Sequence, residues 1–425
     1  MTTPRTAATV DTHTLPTCAK PDDLAWQNWA GNRRCQPSSI ATPRSVQELQ
    51  ELVVRCSDHG TPLRPVGSGH SFAALVTTHG TIVDLSKITG LVGLDTAQGT
   101  ATATVRAGTR LSDFTRALGE RGYALANQGD IDAQTVAGAV STGTHGTGRA
   151  FGNLSSAVRQ LKLVTSDGVL RSLPVTGTDD LAAAALSLGL LGVITEVTLA
   201  VIPKYLLREE TRALSWYGTR DSWSAIESTT RNAEFYWLPS RDMCVVKTFT
   251  QTDDSRQGDV LAELPPPGTV ERYLTPTRTD WSWRAFPSVR TVPFVECEIS
   301  VPVEHGLDAL DELRALMRIR HPQVTWAVEY RTQAPDGLML SPTQQQEVAT
   351  ISVHDETDAD DGSFLADAEA LLLSWGGRPH WGKLHTLGRD EAERRYPRLP
   401  DFRAIRNAYD ASGLFLNDQL AELFE

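Results

Sequence analysis

The residues of this sequence that could do chemistry stand in three short segments. His70 leaves the glycine loop "RPVGSGHSF", and Lys383 follows a histidine and a tryptophan in "RPHWGKLH". Glu329 and Arg331 are two apart in "VTWAVEYRT", where strand alternation puts both on one face, opposite Tyr330. An imidazole, a carboxylate and two cations could bind a polar ligand and move its protons. The alternative for the Glu-x-Arg pair is a surface ion pair on a solvated strand, which contributes little.

The segment "RPHWGKLH" carries two histidines, but their spacing is unsuited to a metal site. As an extended segment it would place Trp381, Lys383 and His385 on one side and His380 on the other. The two histidines are five apart, which matches neither a helical pair nor a strand pair. We therefore expect no metal ion here.

Two glycine-rich runs indicate a nucleotide. The first has no Lys-Ser/Thr after its last glycine and has Phe72 where a dinucleotide fingerprint needs a third glycine. The second, "TVAGAVSTGTHGTG", lies about seventy residues later and is equally poor in large side chains. Such runs serve either a tight crossing of two segments or a large flat ligand lying against backbone amides. Two in one domain favour a dinucleotide.

Bulk composition excludes several classes of protein. The 425 residues predict two or three domains of ordinary soluble composition. A net charge of −12 argues against nucleic acid, which binds through Lys and Arg, and argues less strongly against membrane surfaces. Five scattered cysteines without a CxxC pair suit a reducing compartment. No apolar run is long enough for a membrane span or a secretory signal, so we expect a cytoplasmic enzyme.

Periodicity predicts an α+β protein. A helix should begin after Ser45 and stop at Gly60, a second should end at Gly122, and a hairpin should turn at Asp167-Gly168. After about residue 205 strands dominate, with one helix in "LDALDELRALMRIR" and a Pro-rich break near 263–280. The predicted organisation is a mobile tail at 1–24, a first domain at 25–204, an antiparallel cap domain at 205–375, and a segment at 376–425 that returns to the first domain.

Taken together, these motifs resemble one enzyme family. "VGSGHSF", "NQGD", "QTVAGAVSTGTHGTG", "LGLLGVITEVTL", "EYR", "RPHWGKLH" and "FLND" are similar to the aldonolactone oxidoreductases, close to the alditol oxidases, within the vanillyl-alcohol-oxidase flavoproteins. The resemblance covers about residues 26 to 420 and is loose at 205–320. It implies a vanillyl-alcohol-oxidase/PCMH-type FAD-binding domain and a cap domain with an antiparallel sheet and flanking helices.

The resemblance also implies how FAD is held. His70 would carry the 8α carbon of the flavin as a covalent bond, and no cysteine between Cys56 and Cys244 offers a second attachment. The other residues implied to contact FAD are Val66, Gly67, Ser68, Gly69, Ser71, Gly138, Ser141, Thr142, Gly143, His145, Gly146, Ile194 and Asn417.

On the substrate side, the resemblance implies that Glu329, Arg331 and Lys383 hold the hydroxyls of a sugar lactone or polyol, with His354 as a further catalytic residue. Asp130 stands where alditol oxidases carry a serine, and it favours lactones. We expect His145 to order its loop.

The implied reaction passes a hydride to flavin N5, with electrons going on to oxygen or another acceptor. An alditol oxidase, a recruited oxidase of a sugar or nucleoside intermediate, and a flavin-binding protein without turnover remain alternatives.

Overall fold

The fold is described from a computed structural model that covers residues 24–97, 99–173, 178–254, 265, 268–288, 292–357 and 362–425. The predicted N-terminal tail lies outside these residues except for its last position, and the predicted Pro-rich break lies partly outside them. Among the described residues, no helix combines the length and the apolar character that crossing a bilayer requires.

The described residues form twenty strands and twelve α-helices. The strands are β1 Trp26–Gln27, β2 Arg34–Cys35, β3 Ser39–Ala41, β4 Leu63–Val66, β5 Thr81–Asp84, β6 Leu91–Asp95, β7 Thr102–Arg106, β8 Tyr123–Ala124, β9 Val158–Val164, β10 Leu170–Leu173, β11 Val193–Ala200, β12 Ile202–Pro203, β13 Leu206–Ser215, β14 Asn232–Leu238, β15 Met243–Thr252, β16 Arg278–Trp281, β17 Val295–Pro302, β18 Val328–Gln333, β19 Val348–Asp355 and β20 Arg378–Pro379. The helices are α1 Val46–Asp58, α2 Leu111–Glu120, α3 Val136–Thr142, α4 Asp179–Ala184, α5 Trp216–Thr229, α6 Val270–Tyr273, α7 Ser282–Ala285, α8 Gly306–Arg320, α9 Ser363–Ser374, α10 Arg389–Arg395, α11 Leu399–Tyr409 and α12 Asp418–Phe424.

The first part of the chain contains a parallel and an antiparallel sheet. The parallel sheet has the order β3-β5-β4, and the antiparallel sheet has the order β10-β9-β11-β7-β6. The predicted local signals are confirmed: Ser45 caps α1 by accepting from the Glu48 N–H at 3.1 Å, and Gly168 turns the β9–β10 hairpin at a φ of +75°. Both sheets contribute to one apolar core, which also contains α2 and α3.

The second part is an eight-stranded antiparallel sheet with the order β16-β13-β15-β14-β18-β19-β17-β20. Its apolar face packs on α5, α8 and α9, and includes Val328 and Tyr330 of β18. The opposite face of β18 carries Glu329 and Arg331, so the predicted alternation holds from Val328 onward. Trp326 precedes the strand, which begins two residues later than the pattern indicated.

The chain after the eight-stranded sheet returns to the first core. The short strand β20 still pairs with β17, but residues from Trp381 to Phe424 pack with the apolar side chains of the first two sheets. The fold is therefore the expected α+β arrangement with an antiparallel second sheet. The division into 25–204, 205–375 and 376–425 stays a prediction.

A buried arginine joins the first glycine loop to the C-terminal segment. Arg64 of β4 is 1% exposed and donates to the carbonyl oxygens of Leu75 and Leu188 at 2.8 and 2.7 Å, and to that of Phe415. Burial lowers its pKa to about 9, and Asp410 opposes this. The guanidinium thus satisfies carbonyls from three distant segments.

Replacing Arg64 with Met should destabilise the protein by about 3 kcal/mol, because three buried carbonyl oxygens lose their donor. Urea denaturation measures the change in the free energy of unfolding. Arg116→Met is the control, since its ion pair with Asp113 is exposed and contributes little. Equal stability of the two variants would contradict this role of Arg64.

Candidate active site

The first glycine loop presents backbone donors without protein acceptors. Strand β4 ends at Val66, and the loop runs over residues 67–71 before the chain re-enters the core at Phe72. Among the described residues, none of the backbone N–H groups of 67–71 donates to a protein acceptor. Ser68 instead holds the loop in place by donating its hydroxyl to the Ala133 carbonyl at 2.6 Å. A row of free N–H groups suits an anionic ligand such as a pyrophosphate.

The two glycine runs cross at one point. A Cβ on Gly67 would lie 2.5 Å from Thr135 Oγ1 and 3.7 Å from the Gly138 Cα. A side chain at Gly67 would therefore displace Thr135 of the second run, whereas one at Gly138 would press mainly on Thr135 of its own run, at 3.0 Å. The two runs thus form a tight crossing, and a cleft beside it offers space for a flat ligand, so both explanations given for glycine-rich runs apply.

The cleft beside this crossing, here called the glycine cleft, encloses about 960 Å³ of empty space, part of which is open to solvent. Ten of the residues implied to bind FAD line it: Val66, Gly67, Ser68, Gly69, His70, Ser71, Gly138, Ser141, Thr142 and Ile194.

Three other residues implied to bind FAD lie outside the residues that line the glycine cleft. Gly143 ends α3 in the left-handed conformation, at a φ of +77°. It also packs closely on Leu186, where a Cβ would lie 2.9 Å from the side chain. A Cβ at Gly146 would lie 2.3 Å from the Gln128 carbonyl oxygen, so this position has no room for a side chain. Asn417 caps α12 and donates to the carbonyl of Ala74 at 2.8 Å. Their contacts with protein account for their residue types.

A second, polar cleft of about 760 Å³ lies between the glycine runs and the eight-stranded sheet. It is lined by every residue implied to act on substrate, namely Asp130, Glu329, Arg331, His354 and Lys383, together with His145. His70 lines both clefts, so it stands where they join.

His70 is held as a neutral imidazole. Burial, with smaller contributions from the charges of Lys383 and Arg110, lowers its pKa to about 4. Its ring stacks on Trp29 with centroids 5.3 Å apart and planes at 26°. At neutral pH one ring nitrogen therefore keeps a lone pair at the junction of the clefts.

Arg331 is surrounded by carboxylates. Its Nη2 contacts Glu329 and lies 3.7 Å from Asp130 Oδ2, and its Nε lies 3.4 Å from Glu234 Oε2. Burial lowers the pKa of Arg331, but Glu329, Asp130 and Glu234 outweigh it and raise that pKa well above its usual value. The oxygens of these three acids lie within 4.8 Å of one another, a spacing that could also hold a metal ion, but the guanidinium already meets their charge.

The segment around Lys383 differs from the prediction. The chain turns at residues 381–383 instead of running extended, because the Lys383 N–H donates to the His380 carbonyl at 2.9 Å. Trp381 therefore enters the core, where its Nε1 donates to the Leu340 carbonyl at 2.7 Å. Lys383 and His380 consequently share the polar cleft, and Lys383 Nζ lies 2.5 Å from Glu296 Oε2.

Sequence reasoning missed the carboxylates of β17. Glu296 and Glu298 are two apart on one strand face, and both line the polar cleft. The signal was present in "VECEISV", where acids alternate with apolar residues as they do around Glu329. His380 and Glu234 were also missed, and their sequence context offers no comparable signal.

The buried His145 joins the second glycine run to β17. Its Nδ1 lies 2.8 Å from the Gly146 carbonyl and its Nε2 lies 2.9 Å from Glu298 Oε1, so both nitrogens face acceptors. Ser352 donates to the other oxygen of Glu298 at 2.8 Å. Burial raises the pKa of Glu298, but His145, His380 and Lys383 outweigh it and hold that pKa well below its usual value. These contacts join the second glycine run to β17.

Family comparisons agree with this geometry. Residues 37–173 match the family described as FAD binding domain, and residues 269–423 match the family described as D-arabinono-1,4-lactone oxidase. The first match contains both glycine runs. The second contains β17, β18, β19 and the Lys383 turn.

Curated relatives match over nearly the whole chain. An L-gulono-1,4-lactone dehydrogenase of Mycobacterium tuberculosis is 32% identical over 92% of this chain and 97% of its own length. An alditol oxidase of a Streptomyces species is 31% identical, and an L-gulonolactone oxidase of Mus musculus is 28% identical, each over 94% of this chain and 98% of its own length.

Among solved structures, a cholesterol oxidase of Brevibacterium sterolicum superimposes with a TM-score of 0.84, covering 97% of this chain and all of that chain at 16% identity. This likeness shows the fold, which is that of the vanillyl-alcohol-oxidase/PCMH-type flavoproteins. The open amides of the first glycine loop and the cleft beside the crossing fit FAD. With a relative 32% identical over 92% of its length and these two family matches, the chain belongs to the aldonolactone oxidoreductase family of FAD-dependent oxidoreductases.

Proposed function

We propose that this protein oxidises an alcohol carbon of a sugar-derived lactone of the gulono- or arabinono-1,4-lactone type. The observation that carries the proposal is the position of His70 where the glycine cleft meets the polar cleft that holds Glu329, Arg331 and Lys383. When bound, FAD supplies hydride acceptance at N5 and passes the electrons to oxygen or another acceptor.

The polar cleft can orient a neutral polyhydroxylated ligand. Arg331 and Lys383 can donate hydrogen bonds to such a ligand, and Glu329 can accept them. Asp130, which comes from the first part of the chain, lines the same cleft. Fixing several hydroxyls at once places one C–H bond in a single orientation, which is the main requirement for hydride transfer.

His354 is suited to take up the hydroxyl proton of the substrate. Its Nδ1 lies 3.1 Å from the Ala327 carbonyl, which keeps the proton on that nitrogen and leaves Nε2 as an acceptor. Nε2 is 3.9 Å from Glu296 Oε2, a carboxylate that would stabilise the protonated ring.

We further propose that His70 would hold FAD covalently: an imidazole nitrogen would bond to the 8α carbon as that carbon loses a proton, and the two electrons released would reduce the flavin ring, which oxygen or another acceptor would then reoxidise. A neutral imidazole at the end of the glycine cleft supports this, because only the unprotonated nitrogen can act as a nucleophile.

A second candidate function is oxidation of an alditol. The alditol oxidase relative supports it, since its identity to this chain nearly equals that of the lactone dehydrogenase. Reduction of the bound flavin by gulono-1,4-lactone, arabinono-1,4-lactone, xylitol or sorbitol under anaerobic conditions would separate the two. The rate at which oxygen reoxidises the reduced flavin is then compared with the rate for an artificial acceptor, which distinguishes an oxidase from a dehydrogenase.

The variant His70→Ala should lose covalent flavin. Acid precipitation of the purified protein, followed by visible absorption of pellet and supernatant, measures attachment. The wild-type pellet should be yellow and the variant pellet colourless. A yellow variant pellet would exclude His70 as the anchor.

Lys383→Met and Arg331→Leu should each retain flavin but slow its reduction by substrate roughly 10²- to 10³-fold, because a fixed donor to the reacting group is lost. Anaerobic stopped-flow absorbance gives the rate. The control is Lys162→Met, whose ion pair with Glu196 lies on the surface. Reduction rates equal to the control would refute the assigned roles.

Flavin attachment should depend on pH through His70. Because burial and nearby cations lower the pKa of His70 to about 4, the imidazole is unprotonated above about pH 5, and the rate of attachment should fall only near pH 4. Lys383→Met removes one of those cations and should move the half-maximal rate to higher pH. Incorporation of FAD into apo-protein, followed over time, measures this, and a fall already at pH 6.5 in the wild type would contradict it.

A further inference from the structure

A row of charged side chains crosses half of the eight-stranded sheet and ends at Arg331. It contains one residue from each of five neighbouring strands, and the sign alternates from strand to strand. The members, from the sheet edge inward, are Arg278 of β16, Glu209 of β13, Lys247 of β15, Glu234 of β14 and Arg331 of β18.

Each member of this charge row contacts the next. Arg278 Nε lies 2.5 Å from Glu209 Oε2, and Glu209 Oε1 lies 3.9 Å from Lys247 Nζ. Lys247 Nζ lies 3.3 Å from Glu234 Oε1, and Glu234 Oε2 lies 3.4 Å from Arg331 Nε. The five side chains are between 3% and 18% exposed, so every charge depends on its neighbours for compensation.

Lys247 stays charged within this row. Burial lowers the pKa of Lys247, but Glu234 and Glu209 outweigh it and raise that pKa above its usual value. Burial also raises the pKa of Glu234, and Lys247 is the largest influence that opposes this rise. The cation behind Glu234 thus favours its carboxylate form.

Glu234 lies beside the Nε of Arg331, and the Nη2 of the same guanidinium contacts the polar cleft. The Oε1 of Glu234 accepts from the Tyr236 hydroxyl at 3.0 Å and pairs with Lys247, and its Oε2 lies 3.4 Å from Arg331 Nε, an ion-pair distance without a hydrogen bond. Glu234 is not among the residues that line the polar cleft, whereas the partners of Arg331 Nη2, Glu329 and Asp130, do line it. Glu234 therefore approaches the Arg331 guanidinium from the side that does not line the polar cleft.

We propose that Glu234, backed by Lys247, is a positioning residue that sets the orientation of the Arg331 guanidinium for substrate. The proposal rests on the proposed function of Arg331 as a substrate-binding residue. A long arginine side chain has several rotamers of similar energy, and an active site requires its donors within about 0.5 Å of the productive position. The carboxylate of Glu234, 3.4 Å from Nε, favours by its charge the rotamer in which Nη2 contacts Glu329, although Nε makes no hydrogen bond to it.

The kinetic test uses Glu234→Gln, which keeps the side-chain size but removes the charge. We expect flavin reduction at saturating lactone to slow at least tenfold, though less than in Arg331→Leu, and the KM for lactone to rise, with Glu234→Asp recovering part of both losses. The matched control is Glu227→Gln: Glu227 is half-buried on the other side of β18, where it accepts from the Thr332 hydroxyl at 2.6 Å. This control should behave as the wild type.

A double-mutant cycle separates positioning from general destabilisation. In the Arg331→Leu background, Glu234→Gln should change the kinetics less than twofold, because there is no guanidinium left to orient. Equal losses in both backgrounds would show that Glu234 acts through the fold at large and would overturn the proposal.

An NMR measurement tests the same contact without turnover. In protein labelled with ¹⁵N-arginine, the Arg331 Nε–H signal, assigned by its loss in Arg331→Lys, should be protected from solvent exchange. Glu234→Gln should shift it and speed its exchange, and Glu227→Gln should leave it unchanged. An unchanged signal in Glu234→Gln would refute positioning, whereas a wild-type protein that no lactone or alditol reduces would refute only the proposed function.

Discussion

The candidate active site depends on pairing cations with carboxylates in a cleft that excludes most water. Isolating one buried charge costs several kcal/mol, so a cation can stay in such a cleft only with a close counter-charge. The eight-stranded sheet supplies these counter-charges from alternate positions of adjacent strands: Glu296 and Glu298 on β17 and Glu329 on β18. Lys383 and Arg331 are the cations that they hold, and Glu298 lies against the His145 ring.

These pairs also hold the parts of the protein together at the site. The Lys383 turn belongs to the C-terminal segment, and His145 belongs to the second glycine run, yet both meet β17. Lys383, for which we propose a role in substrate binding, therefore also joins the C-terminal segment to the sheet. Arg331 and Lys383 are each paired with a carboxylate, Glu329 and Glu296, and this restricts both side chains.

The region around His70 depends on exposed backbone amides and missing side chains instead of charge pairs. The amides of the glycine loop have no acceptors among the described residues, and a side chain at Gly67 would clash with Thr135. In this loop the Ser68 hydroxyl is engaged by the Ala133 carbonyl, whereas the His70 imidazole lies where the two clefts join. Burial, Lys383 and Arg110 lower its pKa and keep it neutral, so a cation of the polar cleft also affects the imidazole at the junction of the two clefts.

The sequence by itself determined the features that depend on near neighbours. The cap of α1, the Asp167-Gly168 turn and the shared face of Glu329 and Arg331 follow from local backbone geometry. Family motifs indicated FAD and the residues of both clefts. Only the tertiary structure decided that residues 381–383 turn, which brings His380 and Lys383 together and buries Trp381. It also decided the partners of each cation, because Arg331 meets Glu234 and Lys383 meets Glu296 across about ninety residues of chain. Such pairings arise from the order of strands in the sheet and the need to compensate buried charge, and neither is encoded in the spacing of nearby residues.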